Sequence, residues 1–213
     1  MNFIAANDDT VPRVDDAISG TSLNSRVISA LILAPLVAGA TYIGSPVYDL
    51  LVLAAIVVMA WEWRRLCAAQ HFDTAGIIMT IVVVGATGLT WFQQVGLAVL
   101  LVAAGALIVF FMIAGSEGKS SIWTIVGLLT IGLTGISMIL IRRIGDDWSV
   151  TIWLLVAVWA TDINAFLVGR TVGGPKLAPK ISPGKTWSGL IGGIVGAVGW
   201  SMIWALWTGA VQV

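Results

Sequence analysis

The chain has 213 residues, with eleven Lys and Arg balancing eleven Asp and Glu, and is 58% hydrophobic and only 10% charged, where soluble domains average about 25% charged residues. A mean hydropathy of +0.98 excludes an ordinary soluble domain and points to an integral membrane protein. Zero formal net charge argues against a nucleic-acid partner, which calls for a basic face, and the single cysteine, Cys67, excludes an intramolecular disulfide or a cysteine zinc cluster.

Residues 1–25 are polar, with Asp8, Asp9, Asp15 and Asp16 against Arg13, and are expected to form a disordered tail. They lack the basic start and closely following apolar stretch of a cleavable secretory signal. Residues 26–213 read as one transmembrane domain. Seven apolar runs approach the roughly 17–25 residues a membrane helix needs, at 27–43, 47–63, 76–92, 95–114, 122–141, 149–169 and 188–210. Barrel strands would alternate polar and apolar residues instead, so the expected fold is all-α, a polytopic helical bundle.

With the N terminus in the cytoplasm, Arg13, Arg26, Arg64, Arg65, Lys119, Arg170, Lys176, Lys180 and Lys185 fall inside and only Arg142 and Arg143 outside, as the positive-inside rule asks. Trp61, Trp63, Trp91, Trp148 and Trp187 lie near the run ends, where indole rings favour the headgroup layer. His71, just past the second run, reads as a surface histidine at the boundary. Glu62, in "WEWRRL", reads either as an interface anchor or, being level with Asp162, as a second acid lining one polar cleft.

The sixth run contains "VWATDINAFLVGR", in which Asp162 is a carboxylate at membrane depth. Such a group costs about 2.5–3.5 kcal/mol at a helix centre on insertion scales and faces a partner or a water-filled cavity. It reads either as the partner of a basic residue in the next loop or as a metal or proton site; a small transporter using Asp162 is a further reading. "KLAPKISPGKTW" follows, over residues 176–187. Lys176, Lys180 and Lys185 can hold phosphates as point charges, while Ser182, Thr186 and the amides opening the last helix can hydrogen-bond an anion. Pro175, Pro179 and Pro183 keep the segment out of a helix. A role confined to topology or to acidic headgroups is the alternative. "GKT" is not a nucleotide P-loop, whose first glycine would stand where Pro179 does. Gly189, Gly192, Gly193 and Gly196 in the last run form two small-xxx-small pairs suited to close helix packing, within the bundle or, alternatively, across a homodimer face.

The stretch "ATDINAFLVGRTVGGPKLAPKISPGKTWSGLIGG" closely resembles the core of the phosphatidate cytidylyltransferase (CDP-diacylglycerol synthase) family, in which an A-D-S-G-A-Y-like helix precedes K-L-A-P-K-x-S-P-G-K-T-W-x-G-x-x-G-G. "LNSRVISALILAPL" and "AWEWRRL" look like that family's first two helices, extending the resemblance from residue 23 onward. It implies a membrane nucleotidyltransferase joining CTP to phosphatidic acid with Mg2+, releasing CDP-diacylglycerol and pyrophosphate. Lys180, Lys185 and Asp162 are then the expected catalytic residues. Lys176, Ser182, Gly184, Thr186, Arg170 and Asn164 are expected to bind substrate, and Asp162 to touch the metal. A bacterial inner-membrane location goes with it, the basic loop facing the cytoplasm. Where the family has D-S-G-A-Y, this chain keeps Asp162 but has Ile163, Asn164 and Phe166. The family's acidic C-terminal signature does not occur before Val213, so the expectation is a C-terminally shortened member, with a noncatalytic or partner-dependent lipid- or CTP-binding protein as the alternative.

Overall fold

A peptide backbone at membrane depth has no water to bond, so each apolar run must satisfy its own N–H and C=O groups as a helix. The structure, a computed structural model, describes residues 28, 31–67, 74–113, 120–144 and 148–208. The expected tail at 1–25 and His71 lie outside these. Among the described residues the helices are α1 (Leu31–Ile43), α2 (Val47–Cys67), α3 (Thr74–Trp91), α4 (Val95–Ile113), α5 (Ser120–Arg143), α6 (Ser149–Thr171) and α7 (Trp187–Thr208). Five of them, α3 to α7, are long and apolar enough to cross a membrane. The chain is a multi-pass, all-α membrane protein.

The breaks between helices have local causes. Gly44 adopts a φ of 80°, and Pro46 follows it, between α1 and α2. After α3 the chain turns through Gln93 at a φ of 63°, and the Gln94 N–H donates to the Leu89 carbonyl at 2.8 Å.

Helices α2 to α5 close around one apolar core, which includes Ile56, Met79, Val83, Val102, Leu128 and Ile139 and takes no residue from α6 or α7. Three arginines tie the ends of this bundle. At one end, Arg64 of α2 is 2% exposed; its Nη1 donates to Thr124 Oγ1 of α5 at 2.5 Å, and its stem lies against Gly76 of α3. Trp63 beside it donates its indole N–H to the Trp123 carbonyl at 2.8 Å. At the opposite end, Arg143 donates to the Thr90 and Trp91 carbonyls at 2.9 and 2.8 Å, and Arg142 Nε donates to the Thr41 carbonyl at 2.7 Å. These acceptors belong to the last turns of α3 and α1, where carbonyls lack helical partners and a cation meets the negative end of the dipole. The two arginines expected on the far side of the membrane therefore act as helix caps.

Helices α6 and α7 run antiparallel and pack chiefly on each other. The α7 glycines make this possible: a methyl at Gly192 would lie 2.5 Å from Val168 Cβ, and one at Gly189 2.8 Å from the Ala165 carbonyl oxygen. The glycine face expected to pack within the bundle does so, against α6. Contact with the remaining helices is slight, at the end where the Trp148 ring meets Tyr42 with centroids 5.9 Å apart. Only Thr151 of α6, and Gly189 and Gly193 of α7, are buried.

Candidate functional site

The basic segment is a β-hairpin rather than an irregular loop. Strand β1 (Lys176–Ala178) pairs antiparallel with β2 (Ser182–Thr186), with Lys176 opposite Thr186 and Ala178 opposite Ser182. Pro179 takes the second position of the connecting turn, for which its fixed φ is suited, and the Ile181 N–H closes the turn onto the Ala178 carbonyl at 3.1 Å. At the open end, the Trp187 N–H donates to the Pro175 carbonyl at 3.1 Å.

Thr186 joins the hairpin to α7. It is 5% exposed, and its Oγ1 accepts the Gly189 N–H at 3.1 Å, the bond an N-cap threonine makes to the third residue of its helix. Ser188 Oγ lies 3.0 Å from Thr186 Oγ1 and also donates to the Gly173 carbonyl. This network fixes the hairpin over the end of α6, and Thr186 serves as a cap as well as a wall of the site.

Between α6, the hairpin and the start of α7 lies an open cleft of about 750 Å³. Helix α6 contributes Thr161, Asp162, Ala165, Phe166, Gly169 and Arg170; β1 contributes Lys176 and Leu177; β2 contributes Gly184 and Lys185; α7 contributes Gly189 and Leu190. Of the residues expected from sequence, Asp162, Arg170, Lys176, Gly184, Lys185 and Thr186 come together here. Lys180 in the hairpin turn, Ser182 on β2 and Asn164 on α6 are not among the lining residues. Asn164 Nδ2 donates to the Ala160 carbonyl at 2.8 Å, and its side chain lies over Gly196 of α7. Glu62, expected to share a cleft with Asp162, does not line it either; its carboxylate is 3.8 Å from Arg65 on the exposed face of α2.

The charges of the cleft are available. Asp162, Arg170, Lys176 and Lys185 are exposed, and none forms an ion pair or side-chain hydrogen bond among the described residues. The Arg170 guanidinium instead sits over the Phe166 ring, 5.9 Å from its centroid. Gly184 has no protein atom within 4 Å of where a Cβ would stand, and its φ is not in the left-handed region. Neither packing nor backbone conformation therefore requires glycine there, whereas a ligand lying against the strand would. Among the described residues no group of three His, Cys, Asp or Glu could hold a metal. Asp162 supplies one carboxylate, which suits Mg2+ when phosphate oxygens complete the coordination.

A model of the cytidylyltransferase family matches residues 24–212. The chain belongs to the cytidylyltransferase family. Among relatives from the same family, the phosphatidate cytidylyltransferase of Brucella abortus biovar 1 (strain 9-941) is 32% identical over 188 residues, covering 84% of this chain and 66% of that protein. The Pseudomonas aeruginosa phosphatidate cytidylyltransferase is 32% identical over 181 residues, 81% of this chain and 66% of the relative, and that of Haemophilus influenzae is 26% identical over 204 residues. The chain thus spans just under two thirds of the length of the Brucella and Pseudomonas proteins. The resemblance drawn from the motif at residues 176–187 is borne out by the family match over residues 24–212 of this chain. Sequence reasoning passed over Thr161, Phe166, Leu177 and Leu190 as lining residues. Phe166 had a signal, since it stands one helical turn from both Asp162 and Arg170.

Proposed function

We propose that this family member transfers the cytidylyl group of CTP to phosphatidate, giving CDP-diacylglycerol and pyrophosphate. The observation that carries the reading is the cleft itself, where Lys176, Lys185 and Arg170 converge at the basic end of a membrane helix pair with the Asp162 carboxylate deeper along α6. In the reaction an oxygen of the phosphatidate phosphate bonds to the α-phosphorus of CTP, and the bond from that phosphorus to the oxygen bridging to the β-phosphorus breaks. Two anions must approach, and charge accumulates on the departing pyrophosphate, so the protein acts by positioning and electrostatic stabilisation. Lys176 and Lys185 on neighbouring strands hold phosphate oxygens, and Arg170 offers a planar donor fork. Gly184 lets the ligand lie against backbone. Lys180, at the hairpin tip, draws anionic substrate toward the cleft, and Ser182 and Asn164 support the walls that carry it. Asp162 would be the residue to hold Mg2+, which would supply further charge neutralisation.

On this reading the basic end faces the cytoplasm, where CTP is found, and the membrane is the bacterial inner membrane. The lipid then presents its phosphate at the headgroup layer, level with the hairpin. The test is release of pyrophosphate and CDP-diacylglycerol by the purified chain in lipid nanodiscs, given CTP, phosphatidate and Mg2+. Lys185→Ala is expected to weaken CTP binding about 10- to 100-fold, as loss of a charged hydrogen bond does, and Asp162→Asn to abolish turnover. Turnover indifferent to both changes would overturn the assignment. CTP binding without turnover in the parent chain would instead establish the binding-only alternative.

A further inference from the structure

We infer that Phe166 is the platform on which the nucleobase of the substrate stacks, an inference that rests on the proposed use of CTP. Phe166 is the single aromatic residue among the described residues lining the cleft, and it is 57% exposed. It stands between Asp162 and Arg170 on one stripe of α6, about 6 Å from each along the axis at 1.5 Å rise per residue. The charges of the site place the anionic part of a ligand near Arg170, Lys176 and Lys185, so its uncharged part must lie against the remaining surface, where Phe166, Leu177 and Leu190 are the large apolar side chains.

A phenylalanine on a membrane helix ordinarily needs no explanation beyond lipid. Here the same helical stripe carries a carboxylate one turn away and a guanidinium one turn the other way, which excludes a purely lipid-facing surface. The acyl chains of the lipid substrate have the whole bilayer as solvent and need no aromatic wall. A pyrimidine arriving from water does, because its polar edge must leave water while its flat face gains contact. The Arg170 guanidinium, at 5.9 Å from the ring centroid, is within cation–π range and orients the ring while remaining beside the phosphate-binding lysines. One side chain thus couples the base platform to the phosphate end. Stacking on an aromatic ring is tolerant of base identity, so Phe166 contributes affinity for the nucleoside portion, and choice among bases falls to other groups.

The experiment compares binding of CTP and of inorganic triphosphate to the purified chain and to Phe166→Leu and Phe166→Tyr variants by isothermal titration in nanodiscs. Leucine keeps a large apolar side chain, though a smaller one, and has no π face; tyrosine keeps the face. The expected result is CTP affinity reduced about tenfold or more in Phe166→Leu, near parental affinity in Phe166→Tyr, and triphosphate affinity equal in all three. CTP affinity unchanged in Phe166→Leu would overturn the inference. So would a parallel loss of CTP and triphosphate, which would assign the ring to holding Arg170, or a changed KM for phosphatidate with CTP binding intact, which would assign it to lipid. A parent chain that binds triphosphate but gains nothing from the cytidine would sink the stacking while leaving the phosphate site standing. A parent chain that binds neither would sink the proposed function itself.

Discussion

In the α2–α5 bundle, Arg64, Arg142 and Arg143 each donate to a hydroxyl or carbonyl of another helix, around a core of closely packed apolar side chains. In the α6–hairpin–α7 unit, Lys176, Lys180, Lys185, Arg170 and Asp162 stand exposed, and only three residues of the two helices are buried. Both regions are apolar helices of similar length, so composition does not separate them. The difference lies in what the ionised groups are for. A guanidinium that saturates helix-end carbonyls is satisfied within the fold and has little left to offer a ligand. An ammonium left in an open cleft must be satisfied by water or by something that binds. On the proposed function the bundle is thus a scaffold, and the helix pair would carry the chemistry on close glycine packing and a capped hairpin.

The comparison breaks most visibly at Leu128, which is fully buried in the bundle core. Leu128→Ala is expected to destabilise the protein by an amount at the low end of the roughly 2–5 kcal/mol of such truncations, because lipid offers an alternative apolar solvent and only packing is lost. Thermal denaturation in detergent should show the drop, while CTP affinity of the folded protein stays unchanged. Gly192→Ala should act in the other region. Its methyl would meet Val168 Cβ at 2.5 Å, so α6 and α7 must separate at a cost of about 1–3 kcal/mol. Here CTP affinity should fall together with stability, since the cleft is built from both helices. Equal effects of the two substitutions on affinity would dissolve the division into scaffold and site.

The helices were legible because the apolar runs are continuous and bounded by Gly, Pro and charge; the expected and observed ends of α2 to α7 differ by at most four residues. The hairpin was not, because "KLAPKISPGKT" has no alternation of polar and apolar residues, and its two prolines, Pro179 and Pro183, mask its strands. Asp162, Lys176 and Lys185 stood out as charges in apolar surroundings and by the motif they share with the family. Arg64 and Arg65 are indistinguishable in sequence, yet they sit about 100° apart around α2, so that Arg64 points between helices while Arg65 lies over the Trp61 ring, 4.7 Å from its centroid. In a helix apolar on nearly every side, periodicity says little about which way a residue faces. For the same reason Glu62 could not be assigned to or away from the cleft.

A smaller effect sharpens the role of open space in the helix-pair region. Gly184→Ala places a methyl where no protein atom lies within 4 Å, so denaturation should be unchanged. If a phosphate rests against this strand, the same methyl displaces it, and CTP affinity measured by isothermal titration should fall about tenfold, equivalent to about 1.4 kcal/mol. Unchanged affinity would mean that the ligand is held by side chains alone.

The smallest expected effect lies in the scaffold, at Gln93. Its φ of 63° places a residue with a Cβ in the left-handed region, which costs about 1–2 kcal/mol relative to helical conformations, just past the end of α3 where glycine is the usual occupant. Gln93→Gly removes that strain, while the greater freedom of glycine in the unfolded chain returns about 0.5–1 kcal/mol of it. The net expectation is a stabilisation of about 0.5–1 kcal/mol, seen as a modest rise in denaturation midpoint with no change in CTP binding. A fall in stability would show that the Gln93 side chain contributes more to the α3–α4 turn than its backbone conformation costs, and the scaffold would then depend on a polar contact outside its apolar core.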